Sequence, residues 1–395
     1  LVMDTMNISP AVYNSAEKLE LRAQIEPIKN LKIELNANYE NNKRTEIQYM
    51  SKGMPRTLGG NFSMTTIALK TTLRGSNSKN DYQSDTFDKF LAYKEIIKNR
   101  LQKQYNNVTL PDGLASGNAA TVNPNSGDVL IPAFIAAYTG RDVNNISMSA
   151  FPSIWSILPN WNITYDGLSN IPLIKSKFRS LRLSHSYSCF YQVGSYSSFS
   201  GWQQAIGGGD DLGYIRDVLG GNPIPSSPYN ISSVGITELF RPLIGAEGIL
   251  NNNMNINAQY NSGRTLTLNM SSYQIIEYLE KEFVLGFGYR INEFNRVIGL
   301  TSRTPKNFNN DLNIKTEVSY KSSEALLRKI EEYFTQATSG VTVFTLKISA
   351  DYTLSRALTL RAFYDRILNK PLISASSYPT TNSNFGISLK FTLVQ

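Results

Sequence analysis

The chain carries one histidine and one cysteine, so nucleophilic or metal chemistry would have to be built from His185, Cys189 and carboxylates. His185 lies in "RLSHSYSCFY" with serines on both sides. A Ser-His-Asp arrangement needs a nucleophile elbow, an ordering acid and an oxyanion loop, and no segment supplies them. His185 is therefore expected on a strand surface or in an aromatic girdle. Asp210 and Asp211, in "GGGDDLG", are adjacent carboxylates without the spaced ligands of a calcium loop. The same glycines lack the Lys-Ser/Thr pair of a phosphate-binding loop. One cysteine excludes an internal disulfide and any CxxC zinc or redox motif. The sequence predicts no enzyme, no catalytic residue, no cofactor and no metal site.

Charge narrows the partners. The formal net charge is +8 and the pI near 9.2, yet only 18% of residues are charged, and lysines and arginines are scattered singly. Single-stranded nucleic acid is gripped by stacking aromatics interleaved with basic groups. Here the aromatics share one face of each periodic segment and the charges the other, so no nucleic acid is expected. From 86 to 105, Phe87, Phe90, Leu91, Ile97, Leu101 and Tyr105 recur near helical spacing beside Lys89, Lys94, Lys98, Arg100 and Lys103. The stripe is expected to pack on neighbouring loops and the lysines to be solvated, the alternative being a helix on a membrane surface. "DVLIPAFIAAYTG" (128 to 140) predicts a second short helix interrupted by Pro132, with "LPDGLASGNAATVNPNSG" a loop between the two.

The remaining sequence has period two. In "EFVLGFGYRI" (282 to 291), Phe283, Leu285, Phe287, Tyr289 and Ile291 alternate with Glu282, Val284, Gly286, Gly288 and Arg290. The same alternation runs through 18 to 26, 31 to 39, 264 to 271, 312 to 320, 344 to 354, 358 to 365 and 385 to 393, and it defines strands. Weaker patterns near 61 to 73, 161 to 168, 178 to 192, 237 to 249 and 253 to 261 bring the expected total to about thirteen strands, many longer than the usual 5 to 6 residues. Tight connections at "EPIKN" (26 to 30), "NSGR" (261 to 264) and "LSRAL" (354 to 358) predict antiparallel neighbours. Residues 1–395 read as a single β segment interrupted by long excursions at 74–160 and 193–236. Strict up-and-down counting puts both excursions on one side of the wall.

A soluble sandwich also alternates, so three further features matter. Strands of about 9 to 11 residues match a tilted transmembrane β-strand. Tyr39, Tyr260, Tyr289, Tyr320 and Tyr364 stand near the ends of apolar faces, where an interfacial girdle would place them. The chain closes on the aromatic alternating "FGISLKFTLVQ". Opposite these faces stand Lys32, Glu34, Glu317, Lys347, Asp351, Arg361 and Lys390, and a basic group near the lipid midplane costs about 2 to 4 kcal/mol. They must face water. No run approaches the roughly 18 to 20 apolar residues of a spanning helix. The opening "LVMDTMNISP" shows no signal peptide, which suggests a mature or partial chain. The expected fold is all-β: an antiparallel transmembrane β-barrel, or an arc of one, with loop insertions containing short helices.

Three long stretches resemble one family: "DVLIPAFIAAYTGRD" (128 to 142), "LPNWNITYDGLSNIPLIKSKFRSLRLSHSYSCFYQVGSYSS" (158 to 198) and "FRPLIGAEGILNNNMNINAQYNSGRTLTLNMSSYQIIEYLEKEFVLGFGYR" (240 to 290). They resemble the C-terminal region of the SprA/Sov family, the outer-membrane translocon of the type IX secretion system in Bacteroidota. The resemblance implies a very large single-chain barrel in the bacterial outer membrane that conducts folded cargo proteins. It implies a lateral opening, and partners that include secreted cargo, a plug protein and a PorV-type barrel, besides the lipid bilayer. Members are several times longer, so this chain would be their C-terminal arc. The alternatives from the residues alone are a small-solute porin or TonB-dependent-type transporter, and a soluble β-rich adhesin or carbohydrate-binding protein.

Overall fold

In the computed structural model the chain is described over residues 9–48, 56–72, 81–110, 121–207, 211–292, 294, 311–354, 358–373 and 377–392. Asp210, the middle of "LSRAL", most of the loop at 110–127 and both chain ends lie outside the described residues. The strands are β1 (Ala11–Ile28), β2 (Leu31–Ile47), β3 (Arg56–Thr65), β4 (Asn160–Tyr165), β5 (Phe178–Ser198), β6 (Gln203–Gln204), β7 (Gly213–Arg216), β8 (Pro223–Ser226), β9 (Tyr229–Ile231), β10 (Ser233–Leu250), β11 (Met254–Asn269), β12 (Gln274–Ile291), β13 (Leu312–Lys329), β14 (Phe334–Thr353), β15 (Leu358–Pro371) and β16 (Thr380–Phe391). The helices are α1 (Leu69–Thr72), α2 (Asp85–Tyr105), α3 (Gly127–Thr139) and α4 (Pro172–Lys175).

One 13-stranded antiparallel sheet contains all of the strands except β6 to β8, which form a small sheet of their own. Its path runs β1-β2-β3-β5-β10-β11-β12-β13-β14-β15-β16, and β1 and β16 are its two edges among the described residues. Two of the thirteen strands add no new position along the wall. β4 pairs with β2 and β5, the same neighbours as β3, and continues β3 in the same direction. The chain thus leaves the wall after Thr65, forms the helical insertion, and resumes the same strand at Asn160. β9 extends the position of β10 along β5.

Several connections differ from the sequence reading. "NSGR" is not a turn: Asn261 to Arg264 lie inside the continuous strand β11, paired residue for residue with Glu282 to Leu279. The β-pattern on both sides keeps one register there, and a glycine inside a strand costs less than breaking that ladder. "EPIKN" is a turn, with Asn30 at φ 70, a left-handed conformation that asparagine tolerates. The strand expected over 61 to 73 ends at Thr65, and the chain turns into α1. Strands β5 and β10 to β14 run 16 to 21 residues, about twice the span expected from the apolar stretches. The second excursion is correspondingly shorter, from 199 to 232.

Pro132 lies inside α3 and does not interrupt it. Its missing N–H removes one bond near the helix start, while every residue from Val129 to Thr139 is buried and holds the helix together by packing. Gly140, at φ 68, caps α3 in the left-handed conformation. α2 begins at Ser84, whose side chain accepts the Phe87 N–H. Its apolar stripe packs against α3 and the wall in one core, with Phe87, Phe90, Ile97 and Leu101 joining Phe134, Tyr187, Ile236 and Leu266. The expected loop contacts are present, Arg100 donating to the Val143 and Ile146 carbonyls and Gln102 accepting the Val122 N–H, and α3 and the wall, where Arg328 lies over Phe87, complete the cover.

Candidate functional site

Residues directly opposite in an antiparallel pair share a face, so the register sorts the whole wall into two surfaces. One row joins Arg182, Glu247, Asn257, Gly286, Glu317, Lys347, Asp365 and Asn384 across β5 and β10 to β16. On the opposite face, Tyr260, Phe283, Tyr320, Phe344 and Leu368 form a row across β11 to β15. The bulge in β10 between Phe240 and Ile244 keeps each face on its own side.

The first surface is the inner one. A cavity of about 1130 Å³ opens on it, lined from β5 round to β16 by residues such as Arg182, Glu247, Asn257, Lys315, Lys347 and Ser388. Lining by both ends of that span requires the sheet to curl around this face. Charges there are matched in cross-strand or near pairs: Lys347 with Glu317 at 3.4 Å, Arg361 with Asp351 at 3.6 Å, Lys321 with Glu280 at 3.0 Å and Arg182 with Asp166 at 2.8 Å. Arg290 pairs with Asp311. Asp311 is buried; the exposed pairs are worth about 0 to 1 kcal/mol each, so they neutralise a wet surface more than they hold the wall together. Gly286 and Gly288 belong to the cavity floor; a Cβ there would meet only Asn257 and Asn255 at ordinary contact distance, 3.5 Å. Lys32, Glu34 and Lys390, expected to face water, share this face by register.

The second surface divides along its length. Toward the β1–β2 turn, here the lower half, the outer face reads Leu21, Ala23 and Ile25 on β1, and Met254, Ile256, Ala258 and Tyr260 on β11. It continues with Phe283, Leu285, Phe287 and Tyr289 on β12, Ile314, Val318 and Tyr320 on β13, and Phe385, Ile387 and Leu389 on β16. It is bare: Ile244 is 67% exposed, Phe287 42% and Phe385 81%. A large apolar side chain gains about 1.5 to 3 kcal/mol by leaving water, so a surface of this size is the signature of an apolar environment. From Tyr320 to Leu312, at about 3.3 Å per residue and a strand tilt of 35 to 45°, the belt is roughly 20 Å tall. Tyr260, Phe283, Tyr320 and Phe344 mark its upper rim.

The upper half of the same outer face carries the helical insertion and two buried ion pairs. Arg264 meets Glu238 at 2.9 Å, the side chains being 7% and 1% exposed. Thr72 donates to the same carboxylate at 2.6 Å, Tyr187 donates to it at 2.7 Å, and Arg264 donates to Thr71 Oγ1 at 2.9 Å. Arg328 meets Glu277 at 2.7 Å, donates to the Tyr82 carbonyl at 2.8 Å and lies over the Phe87 ring. Both pairs link wall to insertion. Lys94, expected to be solvated, is buried on α2 and donates to Asn125 Oδ1 at 2.7 Å; burial pulls its ammonium below the usual lysine value. Asp128 of α3 accepts the Ser227 N–H at 2.9 Å, and desolvation holds its carboxyl above the ordinary range despite that bond.

His185 is structural. Its Nδ1–H donates to the Leu243 carbonyl at 2.6 Å, an oxygen within the β10 bulge, and its ring stands between Trp161 and Phe240. Pro242 inside an otherwise periodic segment was the sequence signal for that bulge. Tyr39 is buried beneath the insertion, 7% exposed, and takes no part in a girdle. Cys189 is buried and free. Among the described residues no cluster of three potential metal ligands occurs, and Asp211 stands near Asp128 rather than in a ligand shell.

An antiparallel wall with a charged concave face and an aromatic-rimmed apolar belt on its outer side is the build of an outer-membrane β-barrel, here with β1 and β16 unjoined among the described residues. No protein-family model matches the chain, and no curated protein matches it. Among solved structures it is similar to OmpT of Vibrio cholerae, an outer membrane protein, folded in vitro. The trimer form matches at 11% identity and TM-score 0.23 over 97% of this chain and 99% of that one. A second OmpT structure matches at 10% and 0.24 over 97% of each, and its loop L8 deletion mutant at 8% and 0.23 over 97% and 99%. Superposition that loose carries no weight beside the register of the wall.

Proposed function

We propose that the chain is a wall segment of a protein-conducting channel in the bacterial outer membrane, of the type IX secretion translocon kind. The observation that carries the membrane part is the split outer face: bare and apolar below, protein-covered and charged above. Passage is passive. The paired inner charges present a hydrated surface with little net field, against which a folded protein can slide, and the outer belt keeps lipid out. The translocon identity draws its support from the three long sequence stretches that resemble the SprA/Sov family. Secreted cargo, a plug protein and a PorV-type barrel are the partners that follow from it.

A second reading is favoured by one observation. The inner cavity of about 1130 Å³ is lined by strands from β5 to β16, a dimension suited to small solutes, as in a porin or TonB-dependent-type transporter. Polymer exclusion on single channels of the intact protein in planar bilayers separates the two. Entry of neutral polymers as wide as a folded domain supports the translocon, and exclusion at small-solute size supports the porin. A preparation that stays monomeric and β-structured without detergent removes both and leaves the soluble adhesin.

A further inference from the structure

The helical insertion returns to the wall through the segment 151–158, and that segment exposes a tryptophan. Trp155 is 93% exposed, and Ile154 and Leu158 beside it are each 36% exposed. The backbone around them is fixed: Ser156 N–H donates to the Ser153 carbonyl at 2.9 Å, Leu158 N–H to the Thr65 carbonyl at 3.3 Å, and the Tyr191 hydroxyl to the Ala150 carbonyl at 2.8 Å. Phe151 is anchored among Phe62, Tyr196 and Tyr229. The tryptophan is therefore held out by a braced turn.

Its level on the wall follows from the register. Thr65, which receives Leu158, is next to Met64, and Met64 pairs with Tyr39, which pairs with Leu19. Below that row the outer faces of β1 and β2 become Leu21, Ala23 and Ile25 beside Leu35 and Ile33. A few residues beyond Trp155, Trp161 and Ile163 of β4 pair with Leu35 and Ile33. Trp155 thus stands where the bare belt meets the lower edge of the insertion. That is the depth at which an amphipathic indole is favoured, its ring among the glycerol and upper acyl groups and its N–H toward water.

We propose that Ile154, Trp155 and Leu158 form a foot that enters the interfacial layer of the bilayer and sets how deep this part of the wall sits. The proposal rests on the outer-membrane reading above. It assigns the lipid interface, not a protein, as the partner of the 153–158 turn. The insertion would then be seated between two supports, the buried ion pairs on its wall side and lipid under its free edge.

The test uses the lone-tryptophan protein made by Trp161→Phe and Trp202→Phe, reconstituted into phosphatidylcholine vesicles whose acyl chains are brominated near the headgroup or near the chain end. Blue-shifted Trp155 emission, quenched strongly by shallow bromines and weakly by deep ones, is expected. Emission as in water, or blue-shifted emission that neither lipid quenches, overturns the foot. Because Trp161 stacks on Tyr187 and its loss could disturb the fold, Trp155→Ser in the otherwise intact protein gives an independent reading: it should remove most of the shallow-quenched emission, and an unchanged signal refutes the assignment. A tryptophan-free background carrying Phe287→Trp separates the two levels of inference. Deep quenching at 287 without shallow quenching at 155 sinks the foot alone, and no quenching at 287 sinks the membrane reading beneath it.

Discussion

The upper and lower halves of β10 to β13 have the same backbone, the same alternation and the same outer surface, yet they keep that surface from water in different ways. Above, α2 and α3 cover it, and the wall can carry Glu238, Arg264, Glu277 and Arg328 there because each charge meets an opposite one and bonds donated or accepted by the insertion. Below, the described residues leave most of it bare, with Phe294 edge-on to Tyr352, and in β11 to β14 the outer positions from Met254 to Tyr260, Phe283 to Tyr289, Ile314 to Tyr320 and Phe344 to Tyr352 hold no charge. A protein cover can satisfy buried polar groups one by one; lipid tails cannot. Along β11 to β14 the presence or absence of outward charge therefore reports which solvent a stretch meets; on β15 the outward Arg366, opposite Leu346, stands one row below the rim.

The largest expected effect breaks the upper half. Arg328→Met leaves Glu277 buried without its partner and should cost about 3 to 5 kcal/mol. It should appear as a lowered thermal midpoint and as new protease cleavage within 66–159. Adding Glu277→Leu should recover most of the loss, since a matched apolar pair in such a site is often neutral or better. If the single and double variants are equally unstable, the pair is not what holds the insertion.

In the lower half the contrast lies between faces. Phe287→Lys puts a cation in the belt at about 2 to 4 kcal/mol and should reduce the membrane-inserted fraction in a detergent-fractionation assay. Gly288→Lys, one residue along and into the open cavity, should insert normally. Equal losses would mean that the faces are reversed.

Smaller effects belong to the inner surface and to the cover. Reversing one exposed charge, Lys347→Glu opposite Glu317, should change stability by about 1 kcal/mol or less and fade in high salt; Glu317→Lys added to it should restore the wild-type midpoint. Asp128 has its folded carboxyl raised by desolvation, so the folded state binds its proton more tightly than the unfolded one. Docking of the 211–232 excursion on α3 should be strongest at and below the ordinary carboxylate range. It should weaken as pH rises from there through the raised value and then level off. Asp128→Asn should flatten that slope in a pH series of limited proteolysis; an unaltered slope would assign it to another group.

Much of the wall could be read from the chain. The "EFVLGFGYRI" alternation gave β12 its faces, and Lys32, Glu34, Glu317 and Lys347 were placed toward water on the physical cost of lipid alone. The departures came where distant contacts override local pattern. "NSGR" has turn composition, but the ladders on its two sides bind it into β11. Tyr39 has girdle spacing, but the insertion covers it. Lys94 belongs to a charged helical face by spacing, but Asn125 and burial claim it. His185 reads as a strand-surface histidine and does lie on β5 among aromatic rings, but its partner, the Leu243 carbonyl, exists only through the bulge in the neighbouring strand.

Two-residue periodicity is a local property of an extended chain, so the sequence by itself determined that this protein is an antiparallel wall with one apolar and one charged face. The joining of β3 to β4 as a single interrupted strand, and the seating of the intervening helices on the outer face above the belt, were decided only by the tertiary structure. Each depends on pairings between residues far apart in the chain, Thr65 and Asn160 with β2 and β5, Thr71 and Tyr82 with Arg264 and Arg328. No local pattern encodes which distant partner a hydrogen bond or a buried charge will find.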